Sequence, residues 1–252
     1  MNPAKLISAC LVSLCLLSPA SLAGEITVAV AANFTPVMRE LAAAFEEETG
    51  DHVVVTFGSS GRLYAQIMNG APFDLFFSAD QDKPAALVSA GKADAASRFT
   101  YARGKLVLWS ADAAMSVENG AALRANASQR IALANPRLAP YGLAAEQVLA
   151  KLSAQGITAN NRVTGESITQ AYQYVDTGNV PLGFVALSQV IDNGRIQRGS
   201  GWIIPQNMYD PISQDAVLLT DAKDKKVAQR FLTFVQSDIG KSLITKYGYE
   251  AD

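Results

Sequence analysis

The feature that most constrains the fold of this chain is a repeated alternation of short apolar runs with longer stretches of helical periodicity. The first third holds three pairs of a strand-length run and a helical stretch: 26–31 with 36–48, 53–57 with 62–69, and 74–78 with 83–90. Apolar runs of this length are typical of strands buried on both faces, and the helices between them cover the sheet. The pattern predicts an α/β fold built from βα units.

A second series of the same kind follows and ends in further helical segments. Its strand-length and helical stretches are 105–110, 130–134, 141–154, 162–163, 168–177, 181–186, 212–219, 225–236 and 240–247. Neither a fixed-period repeat nor a low-complexity linker separates the two series. We therefore predict two doubly wound α/β lobes joined by two connecting strands, with a ligand cleft between them. Lobe 1 would comprise 24–106 and 208–252, and lobe 2 would comprise 107–207.

The first 23 residues have the composition of an export signal and not of a folded domain. Lys5 precedes an apolar stretch at 6–17, and the small-residue ending Ser21-Leu22-Ala23 follows. The alternative, a transmembrane anchor, needs roughly 20 apolar residues, which this stretch does not provide. We predict a signal peptide at 1–23, cleaved after Ala23, and a mature protein located in the periplasm.

The scarcity of reactive side chains excludes several classes of enzyme. Both cysteines, Cys10 and Cys15, lie in the predicted signal peptide, so the mature chain has no thiol for catalysis, disulfides or metal binding. The single histidine, His52, stands beside Asp51 at the start of a predicted strand, where we expect it at the surface. One imidazole provides neither an evident serine triad nor a histidine metal site. We predict a protein that is not an enzyme and binds no metal ion directly, with acid–base chemistry by Asp and Glu as the alternative.

Charge and motifs exclude two further classes of ligand. The 21 basic and 23 acidic residues leave a formal net charge of −2, whereas a nucleic-acid binder normally displays a basic face. Neither a G-x-G-x-x-G motif nor a P-loop occurs. We therefore expect neither nucleic acid nor a cofactor as a partner.

Four predicted helices begin just after the carboxyl end of a strand, with small or polar residues at the start. These starts contain Ala32-Asn33, Ser59-Ser60, Pro140-Tyr141 and Ser167-Ile168. Unpaired N–H groups and the partial positive charge of a helix start hold anions without lysine or arginine. Plain helix capping is the alternative explanation at each start. If the four starts meet in the cleft between the lobes, they form an anion site.

Six short segments distributed over the mature chain carry a family resemblance. They are Ile26–Asn33 (ITVAVAAN), Phe57–Gly61 (FGSSG), Gly70–Asp80 (GAPFDLFFSAD), Ala134–Pro136 (ANP), Pro140–Gly142 (PYG) and Pro181–Val185 (PLGFV). The segment at 70–80 is the most specific of them. Together they resemble the periplasmic molybdate-binding proteins of ABC transporters, and Lys246–Tyr249 (KYGY) resembles the C-terminal helix ending of that family. The resemblance implies the type II-like fold of periplasmic binding proteins.

The resemblance also implies one molybdate or tungstate dianion held in the cleft by neutral donors. Carried over position by position, the donors are the side chain and N–H of Asn33, the hydroxyl and N–H of Ser60, Tyr141, and the N–H of Ile168, with Ala32 and Ser59 as second contacts. Some relatives have a tyrosine where this chain has Ala186 and a serine where it has Asn33, whereas others have Asn and Tyr as here. Whether the Tyr141 hydroxyl replaces that tyrosine is a question for the structure.

The family further implies a monomeric protein that closes on the ion and delivers it to the inner-membrane permease of an ABC transporter. A fully deprotonated oxyanion has only acceptors and suits O–H and N–H donors, whereas protonated phosphate also needs an acceptor. Selection against the smaller sulfate depends on the size of the cavity, because a smaller ion leaves donors unsatisfied. A site for another tetrahedral oxyanion, such as sulfate or thiosulfate, is therefore the alternative.

Overall fold

The computed structural model describes residues 23–192 and 194–251. The predicted signal peptide, apart from Ala23, lies outside the described residues. In the described part of the chain, no helix combines the length and the apolar character needed to cross a membrane.

Strands and helices alternate along most of the described chain. In chain order the strands are β1 (Glu25–Ala31), β2 (His52–Gly58), β3 (Leu75–Phe77), β4 (Phe99–Gly104), β5 (Leu106–Ser110), β6 (Arg130–Ala134), β7 (Asn161–Gly165), β8 (Leu182–Ala186), β9 (Ile191–Asp192), β10 (Arg195–Ile196), β11 (Ser200–Ile203) and β12 (Ile212–Leu218). The helices are α1 (Thr35–Thr49), α2 (Ser60–Met68), α3 (Asp82–Ser89), α4 (Ala121–Ala125), α5 (Pro140–Ala154), α6 (Ile168–Asp176), α7 (Lys225–Val235) and α8 (Asp238–Lys246). Most predicted elements lie within a few residues of these bounds, whereas β4, α4 and the two-residue strands β9 and β10 were not predicted.

Ten of the strands form two five-stranded sheets, in the orders β2-β1-β3-β12-β4 and β11-β5-β8-β6-β7, and β9 and β10 form a short antiparallel pair of their own. In the first sheet β1 pairs in parallel with β2 and β3, and β12 runs antiparallel to β3 and β4. In the second sheet β6 pairs in parallel with β7 and β8, and β5 runs antiparallel to β8 and β11. Two α/β lobes, each built on one sheet, confirm the predicted fold class.

The chain passes between the two sheets twice. It leaves the first sheet after Gly104, enters the second at Leu106, and returns between Ile203 and Ile212. The antiparallel strands of both sheets adjoin these crossings, which is why neither sheet is purely parallel. The predicted lobe boundaries at 106/107 and 207/208 fall at these crossings, and the boundaries themselves stay predictions. Leu106, which was assigned to lobe 1, pairs with Ala186 of the second sheet.

Helix α1 shows how the sequence builds the layers. Its apolar residues Val37, Leu41 and Phe45 recur every four positions and are buried on one face. The Phe45 ring meets the ring of Phe231 from α7 edge-on, with 5.1 Å between centroids. The helix ends at Gly50, whose φ of 77° is a left-handed conformation that glycine adopts without strain.

Candidate anion-binding site

A small cavity, with a volume of about 10 Å³ open to the centre of a water-sized molecule, lies where the two lobes meet. Its lining contains only uncharged residues: Ala31, Ala32, Asn33, Ser59, Ser60, Ala79, Ala139, Pro140, Tyr141 and Ile168. Sites for drug-sized organic ligands occupy about 300 to 1,000 Å³. The space therefore suits a small ion better than an organic molecule.

The structure brings all six sequence-predicted site residues to this one cavity. They are the four predicted donors and the two second contacts: Asn33, Ser60, Tyr141, Ile168, Ala32 and Ser59. The reason is topological, because β1, β2, β6 and β7 run in parallel within their sheets and each is followed by a helical start at its carboxyl end. That end of a parallel sheet is the usual place of a binding crevice.

The helix starts around the cavity expose main-chain donors. Asn33 lies in a 3₁₀ turn at Ala32–Phe34, while Ser60, Tyr141 and Ile168 lie in the first turns of α2, α5 and α6. The first N–H groups of a helix have no acceptor within the helix. Among the described residues, no main-chain or side-chain acceptor takes the N–H of these four residues. The four groups and the helix dipoles make the cavity electropositive without a formal charge.

Two serine hydroxyls add donors to these N–H groups. Ser60 Oγ accepts a hydrogen bond from the N–H of Ala79 at 2.9 Å, which leaves its own proton free to donate. Ser59 Oγ is buried and has no partner among the described residues, and its side chain does not cap α2. Buried polar atoms are nearly always hydrogen-bonded, and this unpaired hydroxyl is a group that a ligand in the cavity can use.

The side chain of Asn33 is occupied elsewhere, which differs from the expected side-chain contact with the anion. Its Nδ2 donates to Gln214 Oε1 at 2.8 Å and to the Tyr249 hydroxyl at 2.9 Å. The main-chain N–H of Asn33 is therefore the donor that this residue leaves for a ligand. Sequence reasoning did not single out Gln214, although an amide in the middle of the apolar run 212–219 was a signal of a buried polar contact.

The Tyr141 side chain also points to a structural partner. Its hydroxyl lies 3.5 Å from Gln214 Nε2 and within hydrogen-bond reach of Tyr249. A Cβ atom on Gly104 would lie 1.9 Å from this hydroxyl, so the close approach needs glycine at that position. Tyr141 thus leaves its main-chain N–H for a ligand. Ala186 is fully buried at the end of β8 and does not line the cavity.

A connected set of buried side chains lies behind the cavity, next to the first crossing between the lobes. We call it the hinge network, and it consists of Asn33, Tyr101, Tyr141, Ser188, Gln214 and Tyr249. Burial raises the pKa of Tyr101 and of Tyr141 well above its usual range, and the nearby Tyr249 raises both further. The pKa of Tyr249 is also raised by burial. All three phenols therefore stay protonated and can donate at neutral pH.

Contacts between the lobes close the cavity on two sides. The Gly61 N–H donates to the Leu138 carbonyl at 2.8 Å, and Thr169 Oγ1 donates to the Ala32 carbonyl at 3.2 Å. The exposed pair Arg62–Glu166, with 3.2 Å between Nη1 and Oε1, also spans the lobes. The structure is therefore a closed form of the two lobes. His52, with 65% of its side chain exposed, takes no part and lies at the surface as predicted.

Comparison with known proteins agrees with this arrangement. Residues 26–250 match the family model of the bacterial extracellular solute-binding proteins. The molybdate-binding protein ModA of Azotobacter vinelandii is 50% identical over 93% of both chains, and that of Rhodobacter capsulatus is 48% identical over 90% of this chain and 88% of its own. A solved structure of a periplasmic molybdate-binding protein from Azotobacter vinelandii superposes with a TM-score of 0.83, at 41% identity over 90% of this chain and 99% of that one. The chain therefore belongs to the bacterial extracellular solute-binding proteins and, within them, to the family of the ModA molybdate-binding proteins.

Proposed function

We propose that this protein captures one molybdate or tungstate dianion between its lobes in the periplasm and delivers it to the permease of an ABC transporter. The observation that carries the proposal is the buried Ser59 hydroxyl, which lies on an uncharged cavity with four main-chain N–H groups. Within the described part of the chain, none of these five groups has a hydrogen-bond partner. The choice of molybdate as the ligand is based on the relatives, which are named as molybdate-binding proteins. Tungstate has the same shape and charge, so the same donors serve it.

The donor set suits a fully deprotonated tetrahedral dianion. Such an ion has acceptors on all sides, and the cavity offers N–H and O–H groups from both lobes. Asn33 and Ser60 belong to one lobe, while Tyr141 and Ile168 belong to the other. Binding therefore joins the lobes, and the closed form is the one that holds the ion.

The lining also explains which anions are disfavoured. A protonated phosphate needs an acceptor for its own O–H group, and no carboxylate lines the cavity. A smaller ion such as sulfate would leave some of the six donors unsatisfied, with a penalty of about 1 to 3 kcal/mol for each buried group. We propose that size, not charge, separates molybdate from sulfate.

The protein acts by binding alone in this proposal. We propose a monomer that uses no cofactor, catalyses no reaction and contacts the metal of molybdate only through its oxygens. The relatives are binding proteins, which supports this reading. The partner that remains is the inner-membrane permease. In a cell that has no other high-affinity molybdate system, deletion of this protein should abolish the uptake of trace molybdate.

Thermal unfolding of the dialysed protein, beginning at Gly24, tests the ligand. Molybdate at about 1,000 times its Kd adds about 4 kcal/mol, which raises Tm on the order of 10 °C in a chain of this size. We expect that shift with molybdate and tungstate and none with sulfate, phosphate or buffer. A shift with sulfate or thiosulfate alone would establish the alternative ligand. No shift with any oxyanion, and no molybdenum or tungsten released on unfolding, would reject the proposal.

A further inference from the structure

The main chain just before β1 is held by a buried carboxylate. The N–H of Gly24 donates to Asp51 Oδ1 at 2.9 Å, and the Gly24 carbonyl accepts from the N–H of His52 at 2.8 Å. Asp51 is only 3% exposed. Its second oxygen, Oδ2, accepts from the Arg230 guanidinium of α7. Asp51 thus lies between the first residue after the predicted cleavage point and a helix of the lobe 1 core.

A second carboxylate approaches Gly24 from the start of α7. A Cβ atom on Gly24 would lie 2.7 Å from Asp224 Oδ2 and 2.4 Å from Val227 Cγ2. Any side chain at this position would therefore require the Val227 and Asp224 side chains to shift. Asp224 also caps α7, since its Oδ1 accepts from the Val227 N–H at 3.1 Å. The main chain of Gly24 is packed between two acidic side chains.

The charges in this cluster are unbalanced as long as the Gly24 nitrogen belongs to a peptide bond with Ala23 and carries no charge. Two carboxylates, from Asp51 and Asp224, lie next to Gly24, and one guanidinium, from Arg230, pairs with Asp51. Burial alone would raise the pKa of Asp51, but Arg230 and the Gly24 N–H outweigh it and lower the pKa, so this carboxylate is charged at neutral pH. A second cation at the position of the Gly24 nitrogen would balance the cluster.

We propose that cleavage after Ala23 supplies this cation, because it turns the Gly24 amide into an ammonium group that Asp51 and Asp224 hold. Hydrolysis of the Ala23–Gly24 bond consumes one water and leaves a carboxylate on Ala23 and an amine on Gly24. An α-amine has a pKa of about 7.7 to 8.0, so it is protonated at pH 7. Charge-assisted hydrogen bonds are stronger than neutral ones. The fold therefore gains stability at the moment of processing.

The test compares the protein beginning at Gly24 with one that keeps Ala23. Ala23 is exposed in the structure and the Gly24–Asp51 hydrogen bond forms with it in place, so the extra residue needs no repacking. We expect the Gly24 form to unfold about 2 to 4 °C higher at pH 7. The difference should vanish in the Asp51→Asn background and persist in the control Asp221→Asn, which changes an exposed carboxylate elsewhere.

The pH dependence keeps the test valid if Asp51→Asn does not fold. The charged groups that face the Gly24 nitrogen are Asp51, Asp224 and, through Asp51, Arg230. The lowered pKa of Asp51 keeps this carboxylate charged from pH 7 upward. The His52 side chain lies at the surface, where its Nδ1 is 3.8 Å from Glu46 Oε1. The carboxylates raise the pKa of the amine in the folded state, so its stabilisation is complete below about pH 8 and is lost above the folded pKa.

Three results would overturn the proposal. The first is equal Tm values for the two forms at pH 7, and the second is a difference that does not shrink toward pH 10. The third is a protein exported to the periplasm whose N-terminal residue, determined by mass spectrometry, is not Gly24. None of these results depends on which anion the cavity binds, so the proposal and the proposed function fail separately.

Discussion

Two buried polar regions adjoin each other in this protein, and they differ in whether their hydrogen-bonding groups have partners. In the hinge network, each side chain has a partner from within the set. The Gln214 amide, for example, contacts Asn33, Tyr101 and Tyr141. In the cavity, four N–H groups and the Ser59 hydroxyl have none among the described residues. Asn33 belongs to both regions, with its side chain paired in one and its N–H unpaired in the other.

The difference separates groups that stabilise the fold from groups that await a ligand. A paired buried group contributes about 0.5 to 1.5 kcal/mol, whereas an unpaired one costs about 1 to 3 kcal/mol. The hinge network should therefore determine the stability of the ligand-free protein. The cavity should determine affinity, and its unpaired donors explain why an anion would stabilise the fold.

The largest effect is expected from a negative charge in the cavity. Ser59→Asp places a carboxylate where the unpaired hydroxyl lies, and at about 4 Å a like charge costs several kcal/mol in a partly buried site. Molybdate affinity, measured by calorimetry, should fall at least about 1,000-fold. Ser89→Asp, on the exposed end of α3, is the control and should bind normally. Unchanged affinity in Ser59→Asp would show that the cavity is not the site.

The next effect is expected from the loss of one donor in the cavity. Ser60→Ala removes a hydroxyl whose proton is free, and a hydrogen bond to a charged group contributes about 1.5 to 3 kcal/mol. Affinity for molybdate should fall about 10- to 100-fold. Tm without ligand should also fall, by a few degrees, because the N–H of Ala79 loses its acceptor. Ser89→Ala removes an exposed hydroxyl and serves as the control. A large loss of Tm with normal affinity would instead identify Ser60 as a structural residue.

A substitution in the hinge network should have the reverse signature. Tyr249→Phe removes a hydroxyl that contacts the Asn33 carbonyl at 2.9 Å and Ser188 Oγ at 3.0 Å. We expect the ligand-free protein to lose about 1 to 3 kcal/mol of unfolding free energy in denaturant titrations. Affinity should fall less than in Ser60→Ala. Tyr247→Phe, which loses a partly exposed contact with Glu40, should lose less stability, and the opposite ranking would contradict the comparison.

The smallest effect is expected at the exposed mouth of the cleft. Arg62→Ala removes the pair with Glu166, whose side chains are 55% and 51% exposed. Exposed pairs contribute about 0.2 to 1 kcal/mol, so the affinity should fall less than about fivefold and the loss should shrink in high salt. A loss as large as that of Ser60→Ala would mean that the mouth, and not the cavity, controls closure.

Local patterns in the sequence predicted most of the fold. Apolar runs such as 26–31 and 130–134 were identified as strands, and the helices after them followed from their own periodicity. Strand β4 was missed because it is only partly buried and carries Arg103. Its pairing with β12 involves residues more than 100 positions away, so no local pattern encodes it.

What the sequence determined by itself was the set of helix starts and the absence of charge among them. Each start depends on a few adjacent residues, such as Ser59-Ser60 or Pro140-Tyr141, so local rules suffice to find it. Only the tertiary structure decided which atoms of those residues remain free. The amide of Asn33 and the hydroxyl of Tyr141 were taken by Gln214 and Tyr249, which lie far away in the chain. A hydrogen bond between distant residues depends on how the lobes pack, and that packing leaves the main-chain N–H groups as the donors.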